Sequence, residues 1–217
     1  MYLECGAKRV FACALEWPGW SRSAKTEELA LEALANYAPR YGVVAAEAGI
    51  AFDTSPDTER LDVRERLAGT ATTDFGAPVV ALAADAEPLS AQEAARLAAL
   101  LRAAWSVLDG VVATAPAELR KGPRGGGRDR DAIRDHVAAA EYAYARRLGL
   151  RDFREPAVGD ADAVAAMRSA ISESLRLASG GSPAREASWL PRYAARRIAW
   201  HVLDHAWEIE DRSIPAP

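Results

Sequence analysis

An α+β fold is predicted, with a small N-terminal β-hairpin and helix module ahead of a four-helix bundle. Three observations predict it. The first fifteen residues read as two short runs of β-formers around a glycine turn, and four long segments after residue 88 repeat their apolar residues at three and four. Near Pro88 the composition also turns from strand-bearing to all-helical. The expected organisation is a module with its connecting loop over 1–88 and a bundle over 89–217. A chain of 217 residues, half of them hydrophobic, is long enough to bury a substantial core.

In "YLECGAKRVFACAL", Leu3 and Cys5 alternate in one strand and Phe11, Cys13 and Leu15 in the next, so a hairpin is expected. Pro18 and Gly19 in "EWPGWSRSAKTEEL" break regular structure, and Thr26 then caps a helix whose first turn holds Glu27 and Glu28. That helix is expected over about Glu27 to Ala46, with a kink or break near Tyr37, because Pro39 removes a hydrogen bond and clashes one turn back. "RLDVRERLAG" alternates as one more strand, and "TATTDFGAP" reads as loop.

Ser90 and Glu93 form a capping box for the first bundle helix, which carries Leu97, Leu101, Ala104, Leu108 and Val111 to about Ala115. Further helices are expected from Asp131 to Leu148, from Asp160 to Ala178 and from Pro191 to Arg212, all four rich in alanine on faces able to approach closely.

Charge and composition exclude some roles. The net charge is −4 with acids and bases interspersed, which gives no support to nucleic-acid binding. No charged opening followed by an apolar run and no stretch of about 18 apolar residues is found, so a cytoplasmic protein without membrane contact is expected. The two cysteines, Cys5 and Cys13, make neither a disulfide framework nor a zinc site and read as small buried groups on strands. The basic stretch "ELRKGPRGGGRDRDAIR", with Arg120, Lys121, Arg124, Arg128, Arg130 and Arg134, is either a solvated loop or a wrap for a phosphate or carboxylate. The six tryptophans read as core or interface groups whose indole N–H needs a partner.

The chemistry lies in the histidines. His201 and His205 are four residues apart in "AWHVLDHAWEIEDR", hence on one helix face, where both rings reach a single metal ion. Apolar neighbours imply that this helix is buried, and an unpartnered buried imidazole is costly. The third histidine, His136, lies on the second bundle helix among Ile133, Val137 and Ala140. Three imidazoles leave one position of a tetrahedron open for water or substrate. Spacing alone leaves open a metal site or a hydrogen-bonded histidine core. Glu208 shares the face and is a candidate fourth ligand, orienting partner or catalytic general base, or else an ion-pair partner of Arg212. Asp204 points elsewhere on the helix, and Arg197 is either a carboxylate clamp or half of an ion pair.

The succession "IRDHVAAAEYAYARRLG" and "RRIAWHVLDHAWEIEDR" over about residues 90–212 resembles the DinB/YfiT-like metalloenzymes. The resemblance implies a divalent metal, commonly zinc or nickel, on His136, His201 and His205. It also implies an external low-molecular-weight thiol of the mycothiol or bacillithiol kind, and a small-molecule substrate for transfer or isomerisation. Ergothioneine-forming sulfoxide synthases carry a similar bundle with a Glu after the histidine pair. "FACALEWPGWSRSAKTEELALEALANY" is similar to the HicB-like module, though Trp20 stands where a small residue or Cys is usual. That module, residues 1 to about 70, is expected to cover the bundle, to close its pocket or to form an interface, which allows a homodimer. A pocket is expected at the open end of the bundle, lined by Tyr144, Trp200 or the loop around Asp74. The alternative function is a non-catalytic metal-binding or interaction protein.

Overall fold

The computed structural model of the protein describes residues 1–58, 61–122, 125–177 and 188–213. Strands β1 (Tyr2–Cys5), β2 (Val10–Cys13), β3 (Ser21–Ala24) and β4 (Glu65–Ala68) form one sheet in the order β3-β2-β1-β4. β1 pairs antiparallel with β2, Tyr2 facing Cys13 and Cys5 facing Val10, and parallel with β4, Tyr2 facing Glu65. Both faces of this small sheet are covered. Leu3, Val10 and Ala12 join the main core, whereas Tyr2, Phe11 and Cys13 pack on the other side with Leu82 and Trp200. The period-two pattern read in the sequence is thus apolar on both faces rather than one.

The structure adds a strand that the sequence reading did not expect. Ser21–Ala24 is polar and follows the Pro18–Gly19 break, yet it pairs antiparallel with β2 through four residues. "TATTDFGAP" is likewise not a plain loop: Thr70 caps the five-residue helix α3 (Ala71–Phe75), which Gly76 ends at φ 124°. Thr70 and Thr73 close that capping box with hydroxyls, not with the usual Glu or Gln.

The expected break at Tyr37 is present. α1 (Glu27–Asn36) starts at Thr26, whose hydroxyl accepts the Leu29 N–H at 3.3 Å, and α2 (Ala38–Glu47) takes Pro39 into its first turn. Trp17, Trp20, Tyr41 and Phe52 knit this corner by edge-to-face and stacked contacts, and the Trp20 indole donates to the Leu34 carbonyl at 2.9 Å.

After a single-turn 3-10 segment (Ala83–Ala86) come α4 (Ala91–Thr114), α5 (Arg130–Arg147), α6 (Ala161–Arg176) and α7 (Pro191–Ser213). Ser90 and Glu93 close the expected capping box at α4. The third bundle helix ends at Arg176, and the expected terminus Ala178 lies outside the described residues. Neighbours run α4–α7–α5–α6 and back to α4, so α5 and α7 lie side by side. α4 is long and apolar enough by length and composition to cross a membrane, and here its buried side chains pack against α6 and α7.

One apolar core runs from Leu3 through the bundle to Ile209, across the composition change at Pro88. Polar ties reinforce it. Arg22 of β3 reaches Asp204 at 3.2 Å, and Arg40 of α2 reaches Glu210 at 2.6 Å and Asp211 at 2.9 Å. Arg196 makes a buried two-point pair with Asp85, the Nη2–Oδ2 contact being 2.8 Å. Buried Glu4 accepts the N–H groups of Val79 and Val80, fixing the connecting segment against β1.

The β2–β3 connection meets α7 closely at Gly19, at φ 91°, where an added Cβ would lie 2.7 Å from Leu203 Cδ1 and 3.0 Å from the Ala199 carbonyl. Both the left-handed backbone and the close approach require glycine. Gly19→Ala is therefore expected to destabilise the protein by about 1–3 kcal/mol in denaturant unfolding; an unchanged midpoint would contradict the backbone contact.

Candidate metal centre

Because α5 and α7 are neighbours, the histidine-bearing face of each meets the other. The ring centroids of His136 and His201 are 5.2 Å apart, those of His136 and His205 5.0 Å, and those of His201 and His205 4.7 Å. One ring nitrogen from each lies within 4.8 Å of the others, so the trio could hold a metal ion. Nitrogens on a tetrahedral zinc at bonds of about 2.0–2.1 Å stand roughly 3.3 Å apart. Closure needs at most about 1.5 Å of contraction, within reach of side-chain rotation.

His201 is 7 % exposed, and its Nδ1 has no hydrogen-bond partner among the described residues. Burial, reinforced by the charges of His205, Arg197, His136 and Arg128, holds its pKa down to about 2. His136 is also shifted down, by burial first and then by His205 and Arg128. Both shifts favour neutral imidazole, the form with a lone pair to give a metal. A buried imidazole that keeps an unpartnered nitrogen among the described residues and packs against two other imidazoles fits a borderline-soft divalent cation better than a fully satisfied hydrogen-bond network.

Glu208 is held on both oxygens. Its Oε2 lies 2.8 Å from His205 Nδ1, and its Oε1 accepts Arg212 Nη1 at 2.6 Å. The hydrogen bond with His205, together with Arg212, lowers its pKa, so the carboxylate is ionised and only accepts. With an acceptor-only carboxylate opposite it, His205 Nδ1 is the donor of this pair, which leaves Nε2 as the ring nitrogen for a metal. Arg212 is anchored in turn, donating to the Arg120 carbonyl at 2.8 Å. The orienting role and the ion pair with Arg212, two separate expectations for Glu208, occur together.

Tyr144 and Trp200, expected near the site, stand 5.8 Å and 6.0 Å from the His201 ring. Asp74 is not brought there: it sits in α3 and accepts the Lys8 N–H at 2.8 Å, capping the β1–β2 turn. Asp204 turns to Arg22. In the basic stretch, Lys121 pairs with Asp129, Arg130 with Asp131 and Arg134 with Asp135; Arg124 lies outside the described residues. Arg128 is the member whose charge bears on the histidines, a role that its place in a glycine-rich loop did not reveal. The largest cleft described, about 570 Å³, lies elsewhere, between α4, α5 and α6 around Trp105.

No family model, characterised protein or solved structure matches the chain. Residue geometry therefore carries the assignment.

In metal-free protein His201 resists protonation when folded but accepts a proton near pH 6.5 when unfolded. Its contribution is intact above that pH and is lost as the pH falls, with a slope of up to about 1.4 kcal/mol per pH unit. Unfolding between pH 7.5 and 5.5 should show this loss, and His201→Asn should flatten it. Separately, Glu208→Gln should weaken zinc binding by about 10–100-fold in a competition titration, through loss of the ionised partner of His205.

Proposed function

We propose that the protein is a divalent-metal-dependent enzyme of the DinB-like kind, using zinc or nickel and an external low-molecular-weight thiol for transfer to, or isomerisation of, a small molecule. The observation that carries this reading is the convergence of three imidazoles from two helices, with one ring nitrogen of each within 4.8 Å of the others. His136, His201 and His205 would hold the cation. When bound, it would supply Lewis acidity and lower the pKa of a coordinated thiol or water.

The chain's own groups set the conditions for that chemistry. Glu208 fixes the His205 ring through Nδ1, and the apolar wall of α7 keeps water from His201. Tyr144 and Trp200 border the centre as aromatic walls. An external thiol is invoked because neither cysteine is activated. Cys13 is buried beside Ser21 Oγ with its thiol pushed up to about 11 by burial, and Cys5 is raised by burial and the nearby Glu27.

Elemental analysis of protein purified without a histidine tag should find about one equivalent of zinc or nickel per chain. His201→Ala should lose the metal while keeping its helical circular dichroism, and full occupancy in that variant would refute the ligand set. A screen of thiol transfer to electrophilic small molecules should give turnover that a chelator abolishes. Metal without turnover would leave a binding protein in place of an enzyme.

A further inference from the structure

We propose that the crevice between the β-sheet and α7 holds a single monatomic anion, a halide of chloride size, on the N–H groups of Arg197, Trp200 and Arg196. The site uses none of the histidines and stands whether or not they bind a metal.

The crevice lies on the seam between the two halves of the chain. Tyr2 and Cys13 wall it from the sheet, and Tyr193, Arg196, Arg197 and Trp200 wall it from α7. Two of its lining residues are arginines and none is an acid. The two buried acids of this region are committed elsewhere: Asp85 takes both terminal nitrogens of Arg196, and Glu4 takes the N–H groups of Val79 and Val80. Arg197 has no acidic partner among the described residues. The wall therefore presents positive charge without a counter-charge of its own.

Three donors gather there. Trp200 stands four residues after Arg196 and three after Arg197, so both guanidinium groups fall beside its ring on one face of α7. Arg197 Cζ lies 4.6 Å from the Trp200 ring centroid. Trp200 Nε1, Arg197 Nη1 and Arg196 Nε are each buried without a hydrogen-bond partner among the described residues. The other such nitrogens, on Arg192, His201 and Arg212, belong to residues that do not line the crevice. Arg196 also borders a wider cleft toward Leu97, yet its guanidinium is seated over Tyr2, 5.5 Å from the ring centroid, and Tyr2 lines the crevice and not that cleft.

Size then selects the occupant. The crevice holds about 20 Å³, room for one water-sized sphere, which shuts out carboxylates, phosphates and any organic body. A water accepts at most two hydrogen bonds and has two protons of its own to place. Against three donors it leaves one unanswered, and it brings no charge. A halide is little larger than a water, accepts from all three N–H groups and supplies the missing charge. Seated on α7 against the sheet, it would bind the folded chain and not the unfolded one, and so would stabilise the seam.

Urea unfolding at constant ionic strength in sodium chloride, nitrate and gluconate tests this in wild type, Arg197→Met and Trp200→Phe, the last keeping a ring against Phe11. Circular dichroism checks the fold of each variant. In wild type, chloride at about ten times its dissociation constant should lower the unfolding constant by about tenfold relative to gluconate. Both variants should lose most of that chloride dependence. Wild-type crystals soaked in bromide give a readout that needs no variant: an anomalous peak is expected within hydrogen-bond distance of Arg197 Nη1 and Trp200 Nε1. Water alone at that position, or the same chloride response in wild type and either variant, would overturn the inference. Equal stability in chloride and gluconate up to molar salt would also overturn it, and a bromide peak seen alongside that result would mark an adventitious ion only. Nitrate as effective as chloride would overturn the monatomic assignment.

Discussion

Enclosure of α7 from several directions at once is the constraint on which the molecule depends. α4 and α5 flank it, the Ala83–Ala86 turn touches it, and the β2–β3 turn presses on Ala199 and Leu203. Ala194, Ala195, Ala199 and Ala206 are fully buried, and such small side chains let neighbouring backbones come close. Once α7 is enclosed, its polar residues must be answered individually. Arg196 is paired with Asp85 and Glu208 with Arg212 and His205, while Nδ1 of His201 and Nη1 of Arg197, like single nitrogens of Arg192, Arg196 and Arg212, are buried without a hydrogen-bond partner among the described residues.

Buried ionic groups are tolerated where they are paired and hydrogen-bonded, as at Arg168, which reaches Glu141 at 2.8 Å and Asp109 at 3.0 Å. Along the stretch from Arg197 to His201 the same rule is left open. Burial keeps His201 neutral, whereas the half-buried Arg197 guanidinium is stacked over Trp200.

Features governed by local chemistry were legible in the sequence. Thr26, Ser90 and Pro39 act within a turn or two of themselves, so the ends of α1 and α4 and the break at Tyr37 follow from residue type. The four-residue spacing of His201 and His205 likewise fixes a shared face. β3 was not legible, because Ser-Arg-Ser-Ala has no alternating apolar pattern and becomes a strand through pairing with β2. α3 escaped notice because its box uses Thr73. That His136 meets the other two depends on which bundle helices are adjacent, a tertiary fact that periodicity does not encode. That Arg197 has no acidic partner among the described residues is more remote still from sequence, since it depends on which side chains surround it in space.

Gly19 carries a consequence for how the two halves of the chain can drift apart over time. At that point the main chain of the N-terminal half meets the Ala199 carbonyl and the Leu203 side chain of the histidine-bearing helix, and the glycine has no side chain of its own to trim or enlarge. Most interfaces can be retuned by small volume exchanges from either side of the contact, whereas here only the helix side has a shim to adjust. Lineages that keep the glycine would inherit a fixed gap between sheet and helix, and change in the N-terminal half would be channelled away from the seam toward its solvent-facing rim.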